Sequence, residues 1–138
     1  MVTKLQPPSP PSVPLQSNRR IVMVVDDSTT IRQEVVGALE PEGFTVLAAA
    51  DGLDGLTMLS ENVISLVLLD VSMPRLGGLE MLERMKNDPA LAKVPVLMLT
   101  AEAQESEIER ARRLGARGWM IKPIRPQQLV SIANKLCL

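Results

Sequence analysis

The chain has 138 residues, of which 46% are apolar, so it is long enough for one domain with a hydrophobic core. Its net charge of −1 gives no electrostatic reason to bind nucleic acid or an anionic membrane, and the absence of histidine excludes histidine-based acid–base catalysis and histidine metal ligands. No apolar run has the length of a signal peptide or a membrane span and Cys137 is a lone thiol, so we expect a cytoplasmic protein.

The first 19 residues differ in composition from the rest. Prolines at positions 7, 8, 10, 11 and 14 lie among serine and glutamine. This composition predicts an extended, solvated segment, and we assign residues 1–19 as a Pro-rich flexible tail before a folded domain at residues 20–138. The run Pro8-Ser9-Pro10-Pro11 is compatible with a docking ligand, although a plain spacer is the commoner use of such tracts.

From Ile21 onward, short apolar runs alternate with helical patterns. The run at 21–25 is rich in β-branched residues, which predicts a strand buried on both faces, and Ser28 can cap the helix that follows. Further strands are predicted at 44–50, 66–69, 94–99 and 119–121, and further helices at 52–59, 79–85, 102–114 and 127–136. The alternation predicts an α/β fold, a flavodoxin-like, doubly wound parallel sheet of five strands in the order 2-1-3-4-5 with five helices.

Chemically active side chains follow four of the five predicted strands. They are Asp26 and Asp27 after the first strand, Asp70 after the third, Thr100 after the fourth and Lys122 after the fifth. Because the carboxyl ends of parallel strands share one edge of the sheet, these side chains are expected to converge. Three carboxylates at that edge would repel one another by on the order of 4 kcal/mol per pair, and a hard divalent cation removes this repulsion. Oxygen ligands without nitrogen favour Mg²⁺, or Mn²⁺, over zinc.

The same set of side chains is suited to in-line phosphoryl transfer, which depends on positioning and charge neutralisation. We interpret Asp70 as the nucleophile, with Thr100 and Lys122 holding the transferred phosphoryl oxygens. A single aspartate after a strand is more often a helix cap or a loop residue, which is the role we expect for Asp51. The prediction of a site therefore depends on the combination and not on any one residue.

The residues at these strand ends also carry a resemblance to a known family. Five segments carry it: Val24-Val25-Asp26-Asp27-Ser28, Leu68-Leu69-Asp70-Val71-Ser72-Met73-Pro74, Gly77-Gly78, Leu99-Thr100-Ala101 and Ile121-Lys122-Pro123. In order and spacing, over about residues 20–138, these segments resemble the signature of bacterial response-regulator receiver domains. The resemblance implies that Asp70 accepts a phosphoryl group from a sensor histidine kinase or a phosphotransfer protein. It also implies Mg²⁺ bound by Asp27, Asp70 and the backbone carbonyl of Ser72, with Asp26 acting through water, and a cis bond before Pro123.

Three further residues have roles that the resemblance implies. Trp119 stands where the family has a switch aromatic, more often Tyr or Phe, which moves inward as the residue matching Thr100 moves toward the phosphoryl group. Ser72 and Glu102 stand where the family has residues that flank the attacking water and set the lifetime of the phosphoryl group. A serine cannot orient that water as an amide can, so we predict slower self-hydrolysis than with Asn at position 72.

Only about one helix of chain follows Lys122, and from this we expect the domain to signal by contact with another protein. This resembles CheY-like single-domain regulators of the chemotaxis type, whose surface around the fourth helix, fifth strand and fifth helix binds a protein target when phosphorylated. We expect a stand-alone monomer or weak dimer that contacts neither nucleic acid nor membrane. It is not expected to be an enzyme beyond its own phosphorylation and dephosphorylation.

The sequence also admits several alternatives to this interpretation. The chain could be the receiver fragment of a larger regulator. An aspartate-nucleophile phosphatase would need a second acid where Ser72 stands, and its metal-binding acids come late in the chain. A flavin- or nucleotide-binding module would need a Gly-rich loop after the first strand. A binding-only pseudo-receiver is disfavoured by the complete acidic set.

Overall fold

The structure is a computed structural model that describes residues 20–102 and 104–137. The predicted tail at residues 1–19 lies outside these residues. Five strands and five α-helices alternate along the described chain, as the sequence predicts. They are β1 (Ile21–Val25), α1 (Thr29–Leu39), β2 (Thr45–Ala49), α2 (Gly52–Glu61), β3 (Leu66–Asp70), α3 (Gly78–Lys86), β4 (Val96–Thr100), α4 (Glu105–Arg113), β5 (Gly118–Ile121) and α5 (Pro126–Leu136), with a 3₁₀ turn at Glu40–Glu42 after α1.

The five strands form one parallel sheet in the order β2-β1-β3-β4-β5, which confirms the predicted topology. The register aligns the carboxyl ends of the strands. Asp70 at the end of β3 pairs with Leu99 of β4, and Thr100 at the end of β4 pairs with Ile121 of β5. The residues predicted to converge are therefore brought to one edge of the sheet.

Alternate residues of the central strands enter two separate hydrophobic layers. Val24, Leu68 and Leu99 pack on one face with α1 and α5, while Val25, Leu69 and Met98 pack on the other with α2, α3 and α4. Strands β3 and β4 are buried along their whole length, which is why they read as continuous apolar runs. None of the described helices has the length and apolar character needed to cross a bilayer.

The fourth helix begins later than predicted. It starts at Glu105, so Glu102, predicted as its first residue, lies outside it. The hydroxyl of Thr100 explains the difference, because it donates to the carbonyl oxygen of Glu102 (2.6 Å) and accepts from its amide (3.3 Å). A Thr side chain that binds nearby backbone groups in this way competes with helix formation. The acidic start and basic end predicted for this helix are present.

Candidate functional site

The first two carboxylates are placed by the turn between β1 and α1. Asp26 has no exposed surface, its amide donates to the carbonyl of Ala49 (3.0 Å), and its Oδ1 accepts from the amide of Ser28 (2.9 Å). Ser28 in turn caps α1, since its hydroxyl oxygen accepts from the amide of Ile31 (3.2 Å). Asp27 lies between Asp26 and Ser28 in the chain, and it is exposed. The turn thus buries one carboxylate and leaves the next at the surface.

The third carboxylate, Asp70, is the last residue of β3 and is 5% exposed. The chain folds back over it, because the amide of Gly78 donates to the carbonyl of Val71 (2.9 Å). A Cβ atom at position 78 would collide with the carbonyl oxygen of Asp70, so only glycine permits this close approach. This close approach explains the second glycine of the Gly77-Gly78 pair.

Lys122 joins the carboxylates from the end of β5. Its Nζ lies 2.7 Å from Oδ2 of Asp26 and 3.2 Å from Oδ1 of Asp70. The position is fixed by the backbone, since the amide of Lys122 donates to the carbonyl of Thr100 (2.7 Å). The peptide bond between Lys122 and Pro123 is cis, as the resemblance implied.

Electrostatic repulsion is concentrated at this edge of the sheet. Carboxylate oxygens of Asp26, Asp27 and Asp70 lie within 4.8 Å of one another. Burial raises the pKa of Asp70, and the charge of Asp26 raises it further, against the opposing effect of Lys122. Burial also opposes the charged form of Lys122, but its contacts with Asp26 and Asp70 outweigh burial and raise the pKa of the lysine. The oxygen-only donor set and its unbalanced negative charge fit a hard divalent cation such as Mg²⁺.

Beside the carboxylates is a cleft of about 340 Å³. It brings together five residues that the sequence predicted to act on or around the phosphoryl group, and two polar residues that the sequence did not indicate. The predicted residues are Asp70, Ser72, Thr100, Glu102 and Lys122, and the unpredicted polar residues are Gln104 and Glu107. These two come from the first turn of α4 and the residue before it, so an accurate helix start would have pointed to them.

Trp119 lies on β5 away from the lining of this cleft. Its side chain is half-buried and packs against the core layer that α2, α3 and α4 cover. A second cleft, of about 360 Å³, lies beside it and is also lined by Ile108 and Ala111 of α4. Among the described residues, none accepts a hydrogen bond from its buried Nε1. The structure thus places Trp119 between β5 and α4, and its switch role stays a prediction.

Asp51 has the local role that the sequence predicted. Its Oδ1 accepts from the amide of Asp54 (3.0 Å), so it caps α2. It is not one of the three clustered carboxylates.

The chain is similar in sequence to proteins of one known family. The response regulator receiver domain family model matches residues 22–134. Two curated relatives are the probable transcriptional regulators ycf29 of Pyropia yezoensis (31% identical over 115 residues, 83% of this chain and 52% of that protein) and of Porphyra purpurea (30% over 115 residues, 83% and 55%). The chain spans about half the length of these relatives.

Solved structures give the same result for the fold. The chemotaxis protein CheY4 of Vibrio cholerae is 31% identical, with a TM-score of 0.81 over 86% of this chain and 98% of that one. A response regulator described as putative, from Chloroflexus aurantiacus, is 28% identical, with a TM-score of 0.81 over the same shares. Because the family model covers most of the chain and the five strands have the matching order, this chain belongs to the response regulator receiver domain family of two-component signalling.

Proposed function

We propose that this receiver domain accepts a phosphoryl group on Asp70 with the help of Mg²⁺, and that the modification changes its affinity for a partner protein. The donor would be a sensor histidine kinase or a phosphotransfer protein. The observation that carries the proposal is the position of Lys122, whose ammonium contacts both Asp26 and Asp70 within a cluster of three carboxylates.

Among the three carboxylates, Asp70 is the one suited to be the nucleophile. It is the member of the cluster that lines the cleft with Thr100 and Lys122. Asp26 is fully buried, and one of its oxygens already accepts from the amide of Ser28. An oxygen of Asp70 would attack phosphorus as the bond from phosphorus to the donor's nitrogen breaks, which gives an acyl phosphate on Asp70. The positioning of attacking and leaving groups is the main requirement of such a transfer.

The residues that would hold Mg²⁺ are Asp27, Asp70 and the backbone carbonyl of Ser72, with Asp26 acting through water; Mn²⁺ has the same oxygen preference. When bound, the ion supplies positive charge that offsets the carboxylates and the phosphoryl oxygens. Lys122 adds a second positive charge beside Asp70, and its ammonium can donate to a phosphoryl oxygen. We propose that Ser72 and Glu102, which line the cleft, set the lifetime of the acyl phosphate.

Thr100 provides a connection from the site to α4. In the structure its hydroxyl donates to the carbonyl of Glu102. A phosphoryl oxygen on Asp70 would compete for this proton, and the exchange would release Glu102 and move the segment before α4. Trp119, which packs beside α4, would respond to that movement. The face formed by α4, β5 and α5 is therefore our candidate for the partner contact of a monomer or weak dimer.

The length of the curated relatives favours a second arrangement of the whole protein. This chain spans only 52% and 55% of them, so a regulator in which the receiver domain is joined to a further domain is the second candidate beside a stand-alone regulator of the chemotaxis type. In both arrangements we propose residues 1–19 as a tail and residues 20–138 as a cytoplasmic receiver domain. Neither arrangement changes the chemistry proposed for Asp70.

Beryllofluoride, which mimics a phosphoryl group on aspartate, tests the proposal. Adding beryllofluoride with Mg²⁺ to the wild type should change the fluorescence of Trp119 and the amide shifts of α4. Asp70→Asn should show neither change, whereas Asp88→Asn, which alters an exposed carboxylate outside the cluster, should respond as the wild type does. A wild type without any response would contradict the proposal.

A further inference from the structure

Arg75, in the loop between β3 and α3, connects that loop to α2 through two ion pairs. Its Nε donates to Oδ2 of Asp51 (2.8 Å), and its Nη2 donates to Oδ1 of Asp54 (3.1 Å). The side chain is 54% exposed, whereas that of Asp51 is only 8% exposed. We call these two ion pairs the Arg75 bridge.

The backbone of Arg75 is also unusual. Its φ is +64°, in the left-handed region that costs a side-chain-bearing residue conformational energy and that glycine adopts freely. A neighbouring hydrogen bond joins the same loop to α2, since the amide of Gly52 donates to the carbonyl of Leu76 (3.1 Å). A strained backbone conformation persists where neighbouring contacts hold it, and for Arg75 these contacts are with the first turn of α2.

The loop that the bridge holds contains a proposed metal ligand. The two ends of the loop are joined where the amide of Gly78 donates to the carbonyl of Val71 (2.9 Å). Within the loop, buried Leu76 and the Arg75 bridge give further attachment. Ser72, whose carbonyl is the proposed ligand, lies between Val71 and Arg75 and is exposed, so burial does not hold it in place. We therefore expect the position of that carbonyl to depend on how these points are held.

We propose that Arg75 is a positioning residue for the phosphoacceptor site, which by bridging Asp51 and Asp54 fixes the loop that presents the Ser72 carbonyl to the metal. This inference rests on the function proposed above. The positive charge of Arg75 is balanced by two carboxylates of α2, so the residue acts through geometry and not through its charge. The first turn of α2 thereby becomes part of the support of the site.

The variant Arg75→Gly separates the bridge from the backbone conformation. Glycine adopts φ +64° without strain, so the variant removes the ion pairs while the loop conformation stays accessible, although the backbone at this position also gains freedom. We expect its dissociation constant for Mg²⁺, measured by calorimetry, to be about tenfold weaker, as for other residues that orient a metal ligand. The amide signals of Ser72 and Met73 should broaden or split. Loss of a positive charge alone would instead tighten the binding of a cation.

Two further variants complete the test. Arg75→Lys keeps the charge but lacks the two-pronged geometry, so its affinity should lie between wild type and Arg75→Gly. Arg112→Ala, which removes an exposed arginine that pairs with Glu109 on α4, should bind Mg²⁺ as the wild type does. If Arg75→Gly binds Mg²⁺ as tightly as the wild type or more tightly, or only melts at a lower temperature, the inference is overturned while the proposed function stands. If the wild type itself binds neither Mg²⁺ nor beryllofluoride, the proposed function fails, and the inference fails with it.

Discussion

The ammonium of Lys122 lies 2.7 Å from an oxygen of Asp26, a residue with no exposed surface. It lies farther, at 3.2 Å, from the proposed phosphoacceptor Asp70. The lysine thus offsets part of the repulsion among the clustered carboxylates before any metal is bound. In this arrangement Lys122 supports both the stability of the site and the transfer that we propose there.

Removal of the Lys122 charge should destabilise the protein without metal. Lys122→Met keeps most of the side-chain length but leaves buried Asp26 without its cation. We expect a loss of up to about 3 kcal/mol in the free energy of unfolding, below the full cost of breaking a buried pair because Lys122 is 16% exposed. Urea denaturation with EDTA measures the loss, and exposed Lys93→Met is the control, with a change within about 0.5 kcal/mol. Equal effects of the two substitutions would contradict the account.

The pH dependence of stability should reveal the Arg75 bridge. The hydrogen bond from Arg75 is the main reason why the pKa of Asp51 lies below its usual range. A carboxylate with a lowered pKa stabilises the fold above its unfolded pKa, and this contribution is lost as the pH falls through the folded pKa. Asp51→Asn keeps an oxygen for the helix cap and loses the charge. We expect it to be less stable than wild type at pH 7 and to approach wild type in acid.

The same substitution in a second background tests the cause of this pH dependence. In Arg75→Gly, the change from Asp51 to Asn should have a smaller pH-dependent effect, because the arginine is gone and only the backbone amides of Leu53 and Asp54 still lower the pKa of Asp51. Chemical denaturation across the acid range measures both pairs of proteins. A pH-dependent difference of the same size in the two backgrounds would assign the effect to a group other than Arg75.

The hydroxyl of Thr100 should be required for the response of α4. Thr100→Val keeps the shape of the side chain but loses the bonds to the backbone of Glu102, at a cost of about 1 kcal/mol in stability. With Mg²⁺ and beryllofluoride, we expect this variant to lose the change in Trp119 fluorescence, whereas Thr100→Ser retains it. An unchanged fluorescence response in Thr100→Val would exclude the proposed route from the site to α4.

An amide at position 72 should shorten the lifetime of the acyl phosphate. Ser72 and Glu102 both line the cleft beside Asp70, where an attacking water would lie. Ser72→Asn supplies an amide that can orient this water, so we expect the phosphoryl group to be lost about tenfold faster. Phosphorylated protein, freed of donor and sampled by mass spectrometry, gives the rate, and Ser72→Ala is the control. A wild-type half-life of only seconds would contradict the predicted slow hydrolysis.

Much of the fold and the site follows from local sequence signals. Buried strands such as β3 read as uninterrupted apolar runs, and Asp51 is placed where a helix cap is needed. The convergence of Asp26, Asp70 and Lys122 follows from parallel topology alone, because that topology aligns the carboxyl ends of the strands. These predictions required no knowledge of which side chains touch.

Contacts made only in three dimensions were not predictable. The predicted start of α4 was wrong because the Thr100 hydroxyl binds the backbone of Glu102. A helical sequence pattern does not show that a side chain competes in this way with the helix for backbone groups. Arg75 and Asp51 are 24 positions apart, so nothing in the local sequence joins them. That Lys122 lies nearer to Asp26 than to Asp70 likewise depends on side-chain geometry at the sheet edge.

The most direct test of the central claim is the phosphorylation of Asp70 itself. The protein is incubated with acetyl phosphate and Mg²⁺, quenched in acid and analysed by intact-mass spectrometry, alongside Asp70→Asn and the control Asp88→Asn. We predict that wild type and Asp88→Asn each gain the mass of one phosphoryl group, that Asp70→Asn gains none, and that EDTA prevents the gain. An unchanged mass for the wild type, or an equal gain in Asp70→Asn, would contradict the account.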